Sequence, residues 1–195
     1  MIAASNELWQ YGRGIPGLTL TTPATAHQGR QVQFTADGSG PTPLFVCTSQ
    51  KRGLAMQGLV RLSGAGDSAA FIGLARANQP IIGAGSVLAI EDGIGIWKPA
   101  GSSIWRLLAA REGTTQTIDL GAVGDRQWAE FGFRADGKRA QLWAPSASGQ
   151  RSIIHGVYLP DELVALVPTV AITTTTAAAR SISWAAVAVG QDRYE

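Results

Sequence analysis

Trp128-Ala-Glu-Phe-Gly-Phe-Arg-Ala-Asp-Gly-Lys138, followed at once by Arg139-Ala-Gln-Leu-Trp143, decides how this chain folds. Trp128, Glu130, Phe131 and Phe133 belong to an alternating run, and alternation is the period of a β-strand. Asp136-Gly137 between two such runs predicts a hairpin, because glycine takes the positive φ that a tight turn needs. Leu159-Pro160 then marks a turn. Residues 166–172 form an apolar run, residues 173–179 a small-residue turn, and residues 181–189 a last strand. Residues 125–193 therefore read as short strands joined by turns, with no assembled catalytic group. That pattern points to an interaction surface on a β-sandwich rather than to an enzyme.

Upstream the cadence is the same. Leu18-Thr-Leu-Thr-Thr is β-prone and closes at Pro23. Val32-Gln-Phe-Thr alternates and ends at the turn Asp37-Gly38-Ser-Gly-Pro. Leu44-Phe-Val-Cys-Thr, Leu59-Val-Arg-Leu and Ala69-Ala-Phe-Ile-Gly-Leu-Ala follow as strands. So do Ile81-Ile, Val87-Leu-Ala-Ile and Ile94-Gly-Ile-Trp97, then Ile104-Trp-Arg-Leu-Leu-Ala-Ala-Arg and Thr115-Gln-Thr-Ile-Asp-Leu. One helical turn is expected at Pro160-Asp-Glu-Leu-Val-Ala-Leu, where Asp161 and Glu162 suit a helix N-terminus. About a dozen short strands at this spacing predict an all-β sandwich or barrel. Helices of about 10 to 15 residues between strands, which a parallel α/β fold requires, are missing. Residues 1–17 read as an N-terminal arm and 18–195 as a single domain.

The 195 residues suffice for one substantial core. Hydrophobic residues make up 45% and charged ones 15%, which favours a packed fold over disorder. The net charge of +2 is scattered, and the longest basic runs are the pairs Lys51-Arg52 and Lys138-Arg139. No nucleic-acid partner is expected, since such binders concentrate their basic residues on one face or arm. Cys47 is the single cysteine, so the expectation is a buried strand thiol, with no intrachain disulfide and no cysteine metal site. Met1-Ile-Ala-Ala-Ser-Asn-Glu lacks a basic n-region and is not expected to be a signal peptide. No apolar run reaches the roughly 18 residues that span a bilayer, so no membrane partner is expected.

Several motifs match by letter and fail by context. Gly12-Arg-Gly14-Ile-Pro-Gly17 has dinucleotide-loop spacing, but no strand precedes it and a β-prone segment follows it. Gly132 to Lys138 has phosphate-loop spacing, yet Arg139 stands where Ser or Thr would bind magnesium, and a hairpin explains the stretch. His27 and His155, the only histidines, have no nearby partners for a triad or metal site. The carboxylate pairs Glu91-Asp92 and Asp161-Glu162 would point to opposite faces of a strand, so neither is expected to act together. A glycosidase would need two carboxylates roughly 5 to 9.5 Å apart from distant parts of the chain. No catalytic residue, cofactor or metal is therefore expected. Of the six tryptophans, Trp97, Trp105, Trp128, Trp143 and Trp184 lie in apparent strands and read as sandwich core. Trp9 lies with Tyr11 and Arg13 in the arm, where these three are expected to mediate subunit or shell contacts.

Asp92-Gly-Ile-Gly-Ile-Trp-Lys98, Trp105-Arg-Leu-Leu-Ala-Ala-Arg111, Thr115-Gln-Thr-Ile-Asp and Trp128 to Lys138 together resemble a group of tailed-bacteriophage virion proteins. Leu166-Val-Pro-Thr-Val-Ala-Ile172, Thr176-Ala-Ala-Ala-Arg-Ser-Ile182 and the ending at Gln191-Asp-Arg193 extend that likeness over roughly residues 55–193. The last strand of such relatives often carries Asp before its aromatic, where Ser183-Trp184 stands here. The resemblance implies a concanavalin A-like, antiparallel jelly-roll β-sandwich with minimal helix. It also implies a non-enzymatic capsid decoration or cement protein, made in the host cytoplasm and placed on the virion's capsid surface. Its partners would be the major capsid protein and copies of itself, a trimer being one such arrangement. The alternative is a lectin-like carbohydrate-binding module of a phage head fibre or tail.

Overall fold

Alternation along the chain sorts its side chains onto two faces. Leu54, Met56, Val60 and Leu62 point one way and are buried, whereas Gln57 and Arg61 between them are exposed. The same holds after Trp128: Phe131, Phe133 and Ala135 are buried, and Glu130 and Arg134 are exposed. A strand that follows this rule must be half-buried, with one face on a core and one on solvent.

The computed structural model describes residues 18–34, 45–46, 53–136, 139–142, 153–155, 158–161 and 164–191. The first strands are β1 (Leu18–Thr21), β2 (Gly29–Gln33), β3 (Phe45–Val46), β4 (Leu54–Leu62) and β5 (Ser68–Arg76). Next come β6 (Gly93–Lys98), β7 (Ile104–Arg111), β8 (Thr114–Ala122), β9 (Trp128–Ala135) and β10 (Arg139–Leu142). The last three are β11 (Ile153–His155), β12 (Ala165–Thr174) and β13 (Ser181–Gln191). One sheet has six strands in the order β1-β13-β4-β9-β10-β11. The other has seven, in the order β2-β12-β5-β6-β7-β8, with β3 also paired to β12. All of these pairings are antiparallel. The all-β sandwich expected from the strand spacing is what forms.

The core lies between the sheets. Met56, Val60, Phe131, Phe133, Ile182 and Trp184 of the six-stranded sheet meet Ile72, Leu74, Ile94, Ile96, Leu107 and Ile172 of the other. Each fully buried side chain of this size contributes about 1.5–3 kcal/mol relative to exposure. Phe34 meets Trp184 edge to face, with centroids 6.1 Å apart. The strands on either side of the expected Asp136-Gly137 turn pair as a hairpin, with Ala135 opposite Ala140 and the Arg139 amide donating to Asp136 Oδ1; Gly137 and Lys138 lie outside the described residues. Ser63-Gly-Ala-Gly-Asp joins β4 to β5 across the two sheets, because those strands lie in different ones.

Three expectations need correction. Ile81-Ile82 and Val87 to Ile90 do not form regular strands. They make a flap with one short 3₁₀ turn (Ala84–Ser86) and an isolated bridge from Ile82 to Leu88. The physical reason is the outer face of the seven-stranded sheet, which carries Phe71, Trp97 and Leu108 and needs cover, and Ile81 and Ile90 supply it. Second, Ala165 and Leu166 belong to β12 rather than to a helix, and before them the Val164 amide closes a single turn onto the Asp161 carbonyl. Third, Glu91 and Asp92 lie in a bend outside any strand, and both meet the Arg76 guanidinium.

Glutamines pin the flap. Gln79 is buried; its Oε1 accepts from the Glu91 and Asp92 amides at 2.9 and 3.1 Å, and its Nε2 donates to the Asp92 carbonyl. Gln31 of β2 donates to the Gln79 carbonyl and accepts from the Ile81 amide. Gln33 accepts from the Asn78 amide. Replacing Gln79 by Ala leaves the Glu91 and Asp92 amides without partners and the Asp92 carbonyl with only the Arg76 amide, and costs about 2 kcal/mol net. The expected fall in Tm is roughly 4–8 °C for a domain of this size, read by calorimetry. An unchanged Tm would show that the flap is not held by this side chain.

Candidate functional site

The two sheets differ on their outer faces. That of the seven-stranded sheet lies under the flap, whereas that of the six-stranded sheet presents polar and charged groups. On β4 these are Gln57 and Arg61, and on β9 they are Trp128, Glu130 and Arg134. Arg139 of β10 is exposed beside them and ion-pairs with Asp136 at 3.5 Å. Register makes them neighbours: Arg61 is opposite Trp128, Leu59 opposite Glu130, and Gln57 opposite Gly132.

Trp128 is the feature that stands out. Its surface is 45% exposed, and it is one of two large hydrophobic residues so exposed among the described residues. The Arg61 guanidinium carbon lies 4.8 Å from its ring centroid. A cation over an indole face at that distance is attracted by the ring quadrupole, which fixes both side chains in a flat platform. The expectation that Trp128 is core is therefore corrected. Trp97, Trp105 and Trp184 are buried as expected. Trp143 and Trp9 lie outside the described residues, as do Tyr11, Arg13 and Cys47.

Several other ionisable residues are committed elsewhere. Asp92 is buried, with Oδ1 accepting from the Glu112 amide and Oδ2 at 3.2 Å from Arg76. Arg106 pairs with Asp119, Arg111 with Asp161, and Arg180 with Asp67. His27 stands in the turn before β2 with φ 59°. His155 ends β11, and the pairing register sets it opposite Arg139. No group of three or more His, Cys, Asp or Glu residues among the described residues is arranged to hold a metal ion. No helix among them is long and apolar enough to cross a membrane.

Lys98 is wholly buried, and its Nζ donates to the carbonyls of Ser68 and Pro99. Burial lowers its pKa to about 8, and nearby Asp67 pulls it partly back up. A buried ammonium at a strand end is a structural group rather than an accessible nucleophile. Its titration has a sign. Between about pH 8 and the ordinary lysine value of 10.5, the unfolded chain holds this proton and the folded chain does not. Stability from this residue is therefore lowest below pH 8 and rises with pH through that window, by roughly 3 kcal/mol at most. Denaturant titrations at pH 7.5 and 10 should show the rise in wild type and lose it in Lys98→Met. An identical slope in both proteins would contradict this.

No known family profile and no curated protein match the chain. Solved structures do. Alginate lyase AlyC3 superposes with a TM-score of 0.59 at 8% identity, over 90% of this chain and 75% of that one. The family 7 alginate lyase A1-II′ does so at 0.57 and 8%, over 97% and 85%. The binding domain of botulinum neurotoxin serotype D/C reaches 0.50 at 7%, over 89% of this chain and 40% of that one. At such identities the likeness shows the fold: this chain is a jelly-roll β-sandwich. It also corrects the expectation of a chain that is not an enzyme. That expectation rested on the lack of an assembled catalytic group in the local sequence and on the resemblance to virion proteins, whereas this sandwich is also the fold of alginate lyases.

Proposed function

We propose that the protein binds an acidic polysaccharide along the outer face of its six-stranded sheet. The observation that carries this reading is Trp128, half exposed with the Arg61 guanidinium against its ring, on a face that the flap does not cover. An exposed aromatic face stacks on the apolar face of a sugar ring at low entropic cost. Arg61, Arg134 and Arg139 outnumber Glu130 and Asp136 there, three to two, and guanidinium groups recognise carboxylates in a bidentate fashion. Gln57 adds a donor and an acceptor on the same face. The shared jelly roll supports the reading too: AlyC3 is named for its action on alginate and has been solved with dimannuronate, a carboxylate sugar.

Electrophoresis through gels containing either a polyuronate or a neutral glucan tests it. The polyuronate should retard the protein, the neutral glucan should not, and 0.5 M salt should weaken the retardation by screening exposed charges. Equal mobility in all gels would overturn the reading. New reducing ends in the same incubation would tell turnover from binding.

Capsid decoration, with the major capsid protein and further copies of this chain as partners, is a second proposal that rests on sequence cadence alone. It ranks below the glycan reading because none of the similar structures named above is a virion protein. Stoichiometric co-sedimentation with shells lacking the protein would raise it above the glycan reading.

A further inference from the structure

The seven-stranded sheet ends on β8, and that edge is long and open. β8 has nine residues, pairs with β7 on one side, and has no strand on its other side among the described residues. The other sheet edges are short. β1 has four residues, β11 three, and β2 five with the two of β3 beyond it. Shortness is one way in which an edge avoids accepting a foreign strand; prolines, charges and bulges are others. From Thr114 to Asp119 β8 uses none of these. It has no proline and no lysine, and its one charge, Asp119, is held by Arg106 of β7 with Nε 2.9 Å from Oδ1. The bulge comes only after that stretch, opposite the step from Trp105 to Arg106, where Gly121 takes a φ of 117°.

The side chains of β8 suit a further strand as well. Thr114, Thr115 and Thr117 are exposed, and threonine favours extended backbone. On the inner side Ile118 and Leu120 pack against the core yet stay only partly buried. A strand laid along β8 would meet the N–H and C=O groups that point away from β7, and would cover Ile118 in the same step.

We propose that this strand is β8 of a second copy, paired antiparallel about a twofold axis through Thr117. A twofold axis sets each residue opposite one of the same parity, so the inner faces of the two sheets run on into each other. With the axis at Thr117, Gln116 faces Ile118 of the partner subunit and Thr115 faces Asp119 of the partner subunit. The two Asp119 carboxylates are thereby kept from standing opposite each other, where like charges repel. One strand pair makes a small interface, so the dimer is weak and depends on concentration. Because the axis stands perpendicular to the sheet, both Trp128 faces look the same way, and a long acidic polysaccharide engages the two together. That consequence rests on the glycan reading above, whereas the dimer does not.

Sedimentation of the full chain between about 5 µM and about 500 µM tests the edge. The mass should rise from monomer to dimer and stop there, since the pairing uses up the edge. Thr117→Glu sets two carboxylates across the axis and should stay monomeric with Tm unchanged, because Thr117 is exposed. Ala84→Glu, the same charge on the exposed flap tip, should dimerise like the wild type. Hydrogen exchange at the two concentrations should slow at least about tenfold for those amides of residues 114–119 that point away from β7. A wild type that remains monomeric, a dimer that survives Thr117→Glu, or a dimer with unchanged exchange in β8 would each overturn the proposal. A dimer that ignores polyuronates would support this edge and remove the glycan reading.

Discussion

Trp128→Ala should weaken binding of an acidic polysaccharide about thirtyfold and leave the fold intact. Removing an exposed aromatic anchor from the centre of a contact costs about 2 kcal/mol, which is roughly thirtyfold in Kd. The loss to stability is far smaller. Trp128 is half exposed, outside the core, and its ring contact with Arg61 is worth about 0.5–1 kcal/mol at such a site. Arg61→Ala should also weaken binding, through both the lost cation and the loosened indole. The double variant should fall short of the sum, since the two side chains act as one platform. Isothermal titration with thermal melts on the same samples reads both quantities. Full affinity in Trp128→Ala would remove the stacking platform from the account.

Gly95→Val should cost about 4 kcal/mol, near the upper end for a single substitution. Gly95 faces Gly73 across β5 and β6, and the Phe71 ring lies over both. A Cβ on Gly95 would stand 2.6 Å from the Ile72 carbonyl oxygen, 2.7 Å from the Gly73 Cα and 2.8 Å from Phe71 Cζ. Two of those neighbours are backbone of a central strand and cannot swing aside. The phenylalanine can move only into the space of the flap, where Ile81 and Trp97 are already buried. A lower denaturation midpoint together with increased proteolysis in residues 77–92 is expected. A stable variant with an unaltered flap would contradict the close packing described here.

The strands were legible because alternation and turn residues agree along most of the chain. β7, β9, β12 and β13 stand within a residue or two of where the pattern puts them. The flap was not legible. Ile81-Ile82 and Val87 to Ile90 are as apolar as strands, and a short apolar run cannot say whether it pairs in a sheet or lies across one. The interruptions at Pro80, Gly83 and Gly85 are consistent with a cover, but only the unshielded Phe71, Trp97 and Leu108 explain why one is needed. The candidate site was half legible. Trp128 shares its parity with Glu130 and Arg134, the polar side of β9, while Phe131 and Phe133 take the other. Period two thus assigns it to solvent, and the general preference of tryptophan for cores obscured that. Its pairing with Arg61 requires the register of β4 on β9, which brings together residues 67 positions apart (128 − 61).

The most direct test of the central claim is a two-dimensional amide spectrum of the labelled protein titrated with an acidic oligosaccharide longer than four sugars. The expected result is a saturable shift of the Trp128 indole N–H, together with the backbone amides of Gln57, Arg61, Glu130 and Arg134, all on one face of one sheet. Unmoved signals from β4 and β9 at saturating oligosaccharide would contradict it.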